Sequence, residues 1–185
     1  MKLQFASLVA SSTFLAFVGL QQSPATAKPL FTLEDYFQGQ TVAKGVFESK
    51  IAKTRREFDV RLTGNWDGKT LRLREDFAYA DGEKDRKTWV FVKTGESTYS
   101  GTREDVIGAT TVTIAGDTAR FEYDVLIPRK GKTPVKVHFR DIMVLEPGGV
   151  IRNRARVSKF FLPIGKVAVN FAQGSDLRKV VPPSL

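Results

Sequence analysis

Residues 58–79 of the chain read FDVRLTGNWDGKTLRLREDFAY, and this stretch decides the fold. Apolar and polar residues alternate on both sides of the turn formed by Asp67 and Gly68. Because successive side chains of a β-strand point to opposite faces, the stretch predicts two antiparallel strands joined by a short turn. The residues on their shared apolar face are Phe58, Val60, Leu62, Gly64, Trp66, Leu71, Leu73, Phe77 and Tyr79.

The same alternation continues through most of the remaining chain, with glycine-containing turns between the segments. Only residues 31–37 predict a helix, with Thr32 as its N-cap and Phe31 packed on Tyr36. Each strand has one apolar face, and no further helices remain to cover a sheet. We therefore predict an all-β fold, a single antiparallel meander barrel of about eight to ten strands. A β-sandwich is the alternative.

Residues 1–27 are typical of an export signal that is removed from the mature protein. Lys2 precedes an apolar run that ends at Leu20, and small residues lead to a cleavage site expected after Ala27. The run is barely long enough to cross a bilayer, so an uncleaved membrane anchor is the less favoured alternative. We expect a barrel domain over residues 28–172 and a disordered tail over residues 173–185.

The chain has no cysteine. A disulfide framework, a thiol nucleophile, cysteine-bound zinc and a lipid attached at a lipobox cysteine are therefore all excluded. Together with the export signal, this composition predicts a periplasmic protein that is not a lipoprotein.

The formal net charge of +9 makes nucleic acid, anionic lipid and acidic glycan the partners to consider. Arg152, Arg154 and Arg156 alternate along one strand and form a basic stripe on its polar face, which could contact an anionic membrane surface. Acidic residues interleaved on other strands favour a mixed surface that serves only solubility. Nucleic acid is not expected, because the aromatic residues that would stack on bases lie on the apolar faces.

Four polar residues fall on apolar faces, namely Glu75, Asp141, Asn153 and Lys159. An unpaired buried charge is costly, so these groups should be paired, hydrated or bound to a ligand. One interpretation is a pocket floor in which Lys159 meets an anionic head group and the two carboxylates orient it. The favoured interpretation is a structural ion-pair network between Lys159 and either carboxylate. The apolar residues expected to line the same interior are Phe58, Leu73, Trp89, Phe121, Tyr123 and Phe139.

The sequence predicts no catalytic residue, no metal site and no cofactor. His138 is the single histidine, and the alternation places it on a polar face, whereas a Ser-His-Asp site needs a histidine in a pocket. No phosphate-binding glycine loop, nucleophile elbow or dinucleotide motif is present in the sequence. Glu75, Asp141 and Lys159 form the only set that could serve acid/base chemistry, so an enzyme is less expected than a binder.

Several short motifs follow one another in a fixed order along the chain. They begin at residues 33–39 (LEDYFQG) and 66–68 (WDG), continue through residues 71–83 and 86–89, and end at residues 99–108 and 153–160. In this order they resemble the DUF3833 family of bacterial exported domains, often lipoproteins, without an established activity. The resemblance implies a lipocalin-like or calycin-like barrel and an association with envelope fatty-acid modification. Two features depart from the family, because the chain has no lipobox cysteine and Ile142 stands where an aromatic residue is expected.

We expect a non-enzymatic binder or carrier whose barrel interior accepts a small apolar or amphiphilic, lipid-like ligand such as a fatty acid. One alternative is a structural or partner-binding envelope protein with a filled barrel. Another is an accessory factor or enzyme in envelope fatty-acid modification. The identity of the ligand and the oligomeric state do not follow from the sequence.

Overall fold

A computed structural model describes residues 30–129 and 131–185 of the chain. The predicted export signal, residues 1–27, lies outside these residues. One short helix, α1, spans Leu33–Phe37, and a 3-10 turn spans Leu177–Lys179. The ten strands are β1 (Gly39–Ser49), β2 (Thr54–Trp66), β3 (Thr70–Tyr79), β4 (Lys84–Lys93), β5 (Thr98–Thr102), β6 (Thr110–Ala115), β7 (Thr118–Arg129), β8 (Lys132–Leu145), β9 (Ile151–Lys159) and β10 (Leu162–Gln173).

Every strand pairs antiparallel with the next one along the chain, and β1 also pairs with β10. The closing pair runs in register from Thr41 opposite Gln173 to Glu48 opposite Lys166. The described strands therefore form one closed barrel, which confirms the predicted antiparallel meander barrel. The alternative sandwich would need two packed sheets, whereas closure of a single sheet removes its exposed edges.

The faces of β2 and β3 follow the alternation of residues 58–79. Val60, Leu62, Leu71 and Leu73 are buried and belong to the main core cluster. The arginines between them in the sequence are exposed. Register also places Leu62 opposite Glu75, so this carboxylate lies on the interior side of the barrel wall.

Helix α1 covers one end of the barrel and buries Leu33 and Phe37 against the core. Thr32 caps the helix as predicted, since its Oγ1 accepts a hydrogen bond from Asp35 N at 3.1 Å. Gly64 on β2 makes room for the helix, because an alanine Cβ at this position would lie 1.9 Å from Phe37 O. The helix is therefore a plug, and we call the opposite end of the barrel the open end.

Two polar side chains of α1 fix the plug to the barrel wall. The Glu34 carboxylate accepts hydrogen bonds from Tyr99 Oη at 2.6 Å and from Lys93 Nζ. Burial alone would raise the pKa of Glu34, but these two donors outweigh burial and keep the pKa below its ordinary value. Tyr36 Oη donates a hydrogen bond to Phe171 O on β10 at 3.0 Å. The plug is thus held by specific contacts with β4, β5 and β10.

The segment after β10, for which the sequence predicts disorder, lies along the outside of β1 and β10. Val180 is 3% exposed and packs on Val42 and Ala172. Asn170 Nδ2 donates a hydrogen bond to Val181 O at 2.9 Å. The outward faces of these two strands are apolar here, so a covering segment removes them from water. Only a few tail residues contact the barrel, so the tail has no regular spacing of apolar residues from which this contact could be predicted.

Candidate ligand cavity

The barrel encloses a cavity of about 630 Å³ that extends from α1 to the open end. Cavities that hold small ligands measure roughly 300–1,000 Å³. Its floor includes Leu33 and Phe37 of the plug, and its mouth includes Arg56 and Ile127. The space is therefore large enough for a small amphiphile and is reached from the open end of the barrel.

Aromatic side chains of β4, β7 and β8 form a rigid part of the cavity lining, which we call the aromatic wall. Trp89 and Phe91 stack with 5.1 Å between ring centroids, and Tyr123 stacks on Phe139 at 5.4 Å. Trp89 also meets Tyr123 edge to face at 5.2 Å, which joins the two pairs. Such rings give a large apolar surface with little conformational freedom, so the wall suits the apolar part of a ligand.

Glu75 and Asp141 place two carboxyl groups in this apolar cavity. Burial raises the pKa of Glu75 to about 7, although the charge of Arg103 opposes the rise. Burial also raises the pKa of Asp141, to about 6, against the hydrogen bond that Asn153 Nδ2 donates to its Oδ1 at 2.5 Å. Both carboxyl groups therefore change protonation near neutral pH, as groups in ligand and catalytic sites often do.

Arg103 is the cation that faces Glu75 inside the barrel. Its Nη1 lies 3.6 Å from Glu75 Oε2, and its Nε donates a hydrogen bond to Asp105 Oδ1 at 2.7 Å. The guanidinium group also lies 4.7 Å from the centroid of the Trp89 ring. Arginine is suited to this place, because it can bind carboxylates and stack on an aromatic ring at the same time.

Three buried acceptor atoms in the cavity have no described donor in ordinary hydrogen-bond geometry, namely Glu75 Oε2, Asp141 Oδ2 and Asn153 Oδ1. Arg103 Nη1 lies near the first at 3.6 Å, and the Tyr123 hydroxyl interacts with the Asp141 carboxyl group and lowers its pKa. Buried acceptors normally have a donor, because an unsatisfied one loses the hydrogen bond that water would have provided. Carboxyl groups also outnumber cations in the lining. The acidic lining residues are Glu75, Glu83, Asp85, Asp105 and Asp141, and the basic ones are Arg56, Lys87 and Arg103. The cavity therefore suits a ligand that donates hydrogen bonds or is positively charged.

Most of the residues that the sequence predicts for a ligand site lie together in this cavity. Those that line it are Glu75, Trp89, Tyr123, Phe139, Asp141 and Asn153. Lys159 does not line it, and its Nζ lies 5.3 Å from the centroid of the exposed Phe160 ring. Lys159 comes six residues after Asn153 on β9, which at about 3.3 Å per residue places it roughly 20 Å further along the strand, toward the open end. The expected ion pair of Lys159 with Glu75 or Asp141 is therefore absent from the described residues, and Arg103 takes its place.

Sequence reasoning missed Arg103. The residue follows directly after β5 (Thr98–Thr102), in a loop where the period-two alternation no longer applies. Its only signal in the sequence is Asp105 two residues later, to which its side chain is bound. An arginine two residues from an aspartate is common at protein surfaces, so this spacing does not indicate that Arg103 lies in the interior.

The predicted basic stripe lies on the outer wall of the barrel and not in the cavity. Arg152 and Arg156 are exposed, and Arg154 is half-buried. Arg156 lies opposite Arg140 on β8 and opposite Lys166 on β10, so a basic row crosses three neighbouring strands.

His138 lies on the outer wall, on the polar face that the alternation predicts. Its Nδ1 is 3.0 Å from Asp124 Oδ1, and its Nε2 is 3.3 Å from Glu122 Oε2. Within residues 30–129 and 131–185, no group of three or more His, Asp or Glu side chains could hold a metal ion. Across the same ranges, no helix has both the length and the apolar character needed to cross a membrane.

Comparison with known proteins identifies a family and a solved structure of similar fold. The family model described as "Protein of unknown function (DUF3833)" matches residues 15–173. The solved structure of the S-type phycobiliprotein lyase CPES from Guillardia theta is similar, with a TM-score of 0.54 and 10% sequence identity over 80% of this chain and 95% of that chain. At this identity the likeness concerns the fold alone, and it agrees with the lipocalin-like barrel that the family resemblance implies. No curated protein matches the sequence.

Proposed function

The chain belongs to the DUF3833 family, whose function is unknown, and we propose that it is a non-enzymatic binder or carrier of a small amphiphilic, lipid-like ligand. The observation that supports this most is the open cavity of about 630 Å³ inside the barrel. A small barrel built only for structure is filled by its own side chains. The cavity therefore favours a binder over the structural alternative with a filled barrel.

The lining suggests how such a ligand is oriented. Its apolar part lies along the aromatic wall, and its polar part meets the buried acceptor atoms of Glu75, Asp141 and Asn153 that lack a hydrogen bond. The sequence led us to expect an anionic head group at Lys159. The lining instead favours a head group that donates hydrogen bonds, such as a hydroxyl, amide or amine. A fatty acid fits this arrangement in its protonated form, or when it competes with Glu75 for Arg103.

An accessory factor or enzyme in envelope fatty-acid modification is the second candidate. It is supported by the two interior carboxyl groups whose pKa values are about 7 for Glu75 and about 6 for Asp141. One similar solved structure belongs to a protein named a lyase, so a barrel of this kind is compatible with either role. Both candidates use the same cavity, and ligand binding is therefore tested first.

We propose that the protein acts in the periplasm, because the sequence predicts an export signal in residues 1–27. Fractionation of expressing bacteria with N-terminal sequencing tests this proposal. A chain that starts at Lys28 in the periplasmic fraction is expected. Recovery of the uncleaved chain from the cytoplasm would contradict it.

Native mass spectrometry of the protein recovered from cells, followed by lipid extraction, tests for a bound ligand. An amphiphile that co-purifies and raises the melting temperature when added back is expected, because a ligand that binds only the folded state stabilises it. If no molecule co-purifies and no fatty acid, fatty amine or monoacylglycerol shifts the melting temperature, the binder proposal fails.

Fluorescence of Trp89 gives a direct measurement of cavity occupancy. The chain has two tryptophans, so Trp66→Phe leaves Trp89 as the only reporter. In this background Ala155→Phe fills part of the cavity and should weaken binding on the order of tenfold. The matched control is Arg156→Ala on the outer face of the same strand, which should bind like its parent. Equal binding by both variants would place the ligand outside the cavity.

A further inference from the structure

Large apolar side chains are exposed at the tips of the open end. Phe160 and Phe161 form the turn between β9 and β10 and are 82% and 101% exposed. Leu162 follows them with 67% exposure, and Ile51 in the turn between β1 and β2 is 72% exposed. Because β10 pairs with both β9 and β1, these four residues lie on neighbouring tips. We call them the apolar arc.

The turn formed by Phe160 and Phe161 is also costly for the backbone. Both residues have positive φ angles, 48° and 67°, in the left-handed region. Two-residue hairpin turns of this kind favour Asn, Asp and Gly, because bulky side chains are strained there. Within the described chain, Phe161 is fully exposed and Phe160 is only slightly covered, so burial during folding does not explain their presence. A contact outside the chain would explain both their exposure and their position.

Basic side chains flank the apolar arc. Lys50 and Lys53 lie on either side of Ile51 in the β1–β2 turn, and Lys159 precedes Phe160. Among the described residues, none of these three lysines forms an ion pair. Exposed aromatic residues with flexible lysines beside them are typical of surfaces that meet the head groups of an anionic bilayer.

Neighbouring bases hold three acidic side chains near the tips of the open end, whereas Glu48 of β1 forms no ion pair among the described residues. Asp81 and Glu83, at the β3–β4 tip, both bind Arg56. Close to the apolar arc, Glu57 Oε1 lies 3.0 Å from Arg55 Nη2. The lysines at the arc therefore remain available to an external anion, and charge complementarity favours an anionic surface.

We propose that the open end of the barrel docks on an anionic lipid bilayer, with Phe160 and Phe161 inserted among the head groups. The apolar arc projects from hairpin tips, a shape that penetrates a soft lipid surface more readily than it fits a preformed protein groove. In this orientation the cavity mouth faces the bilayer. The benefit of that orientation, passage of an amphiphile between bilayer and cavity, rests on the proposed binding function.

Vesicle co-sedimentation of the protein tests the proposal. Vesicles of phosphatidylcholine mixed with phosphatidylglycerol should bind it, and vesicles of phosphatidylcholine alone should bind it more weakly. The double variant Phe160→Asn with Phe161→Gly suits the turn geometry and should lose about tenfold or more in vesicle affinity while remaining folded. All proteins compared carry the same N-terminus, so any contribution from residues 1–29 is common to them.

Two further variants separate the apolar and electrostatic contributions. Lys50→Glu with Lys53→Glu should remove most of the preference for phosphatidylglycerol, as should a high salt concentration. Ile142→Asn changes an exposed apolar residue on the outer wall of β8 and serves as the matched control, with unchanged vesicle binding expected. Unchanged binding by the Phe160/Phe161 variant, or capture of a protein by the arc without vesicle binding, would overturn the proposal.

Failure of this proposal is distinguishable from failure of the binding function. Trp89 fluorescence reports the ligand in the absence of vesicles, and co-sedimentation reports docking in the absence of added ligand. Docking without a cavity ligand would leave the proposal standing and remove the carrier function. A cavity ligand without vesicle binding would support the binding function and overturn the docking proposal.

Discussion

Glu75 shows how the interior of the barrel changes the chemistry of a single residue. Its pKa of about 7 compares with 4.5 for an ordinary glutamate, because burial disfavours the ionised form more than Arg103 favours it. Between these two values the folded chain retains a proton that the unfolded chain releases. The contribution of Glu75 to stability therefore falls as the pH rises from 4.5 to about 7.

Replacement of Glu75 by glutamine removes this titration. We expect the melting temperature of Glu75→Gln, relative to the unchanged protein, to rise as the pH is raised from about 5 to about 8. Asp141 titrates in both proteins, and its charge also raises the pKa of Glu75, so the difference reports the titration of Glu75 together with its coupling to Asp141. Differential scanning fluorimetry across this pH range measures the difference, and a constant difference would contradict the raised pKa.

Asp67→Asn is a control with the opposite shift. Hydrogen bonds from the backbone amides of Thr70 and Lys69 keep the pKa of Asp67 below its ordinary 3.8. The stability that this carboxylate contributes is lost only as the pH falls through that lowered value. The difference between Asp67→Asn and the unchanged protein should therefore stay constant from about pH 5 to about pH 8.

At the scale of elements, α1 is too short to be stable by itself and is positioned by the barrel. A helix of five residues makes few internal hydrogen bonds, so its tertiary contacts decide where it lies. Glu34 and Tyr36 bind the wall, and Gly64 allows the close approach of Phe37. The plug therefore depends on one glycine of a neighbouring strand.

Gly64→Ala should displace the plug. The new Cβ would lie 1.9 Å from Phe37 O, a distance that forces the backbone of α1 to move. We expect the free energy of unfolding to fall by about 1 to 3 kcal/mol, as for other overpacked sites. Urea denaturation measures this loss. Thr63→Ala on the same strand is the control and should cost much less, because its side chain does not face the plug.

In the β9–β10 hairpin, the residues of the turn are poorly suited to the backbone conformation that the turn adopts. Phe160 and Phe161 occupy left-handed positions that Asn and Gly occupy without strain. Phe160→Asn with Phe161→Gly should therefore raise the free energy of unfolding by about 1 to 2 kcal/mol. A rise in stability with a loss of vesicle binding would show that the turn is adapted to a contact and not to folding. A lower stability would mean that the phenylalanines contribute to folding.

At the scale of the whole molecule, the tail covers the seam at which the barrel closes. Pairing of β1 with β10 joins the first and last strands, and the tail lies across their outward faces. Val42 and Ala172 on those outward faces are buried and pack on Val180 and Leu177 of the tail. The tail thus stabilises the contact of highest sequence separation in the fold.

A chain that ends at Gly174 should lose about 2 to 4 kcal/mol of stability, because it exposes these apolar residues and removes Val180. Thermal unfolding by circular dichroism measures the change in melting temperature. Val180→Ala, which removes only two methyl groups, should cost about 1 to 2 kcal/mol. If the shortened chain melted like the full one, the tail would have no structural role.

The sequence by itself determined the meander barrel and the interior faces of its long strands. Alternation is a local property of extended backbone, so it predicts which side chains share a face wherever a strand is regular. It also identified Glu75, Asp141 and Asn153 as interior polar residues, and the cavity contains all three. The helix cap at Thr32 was predictable for the same reason, since capping involves neighbours along the chain.

Only the tertiary structure decided which residues meet inside the barrel. Alternation gives the face of a side chain but not its depth along the barrel axis, which depends on strand register and closure. Lys159 therefore lies near the rim, while Arg103 from an irregular loop reaches Glu75. The open cavity and the covering tail likewise depend on distant parts of the chain packing together. These are long-range contacts, and no local pattern of residues 58–79 contains them.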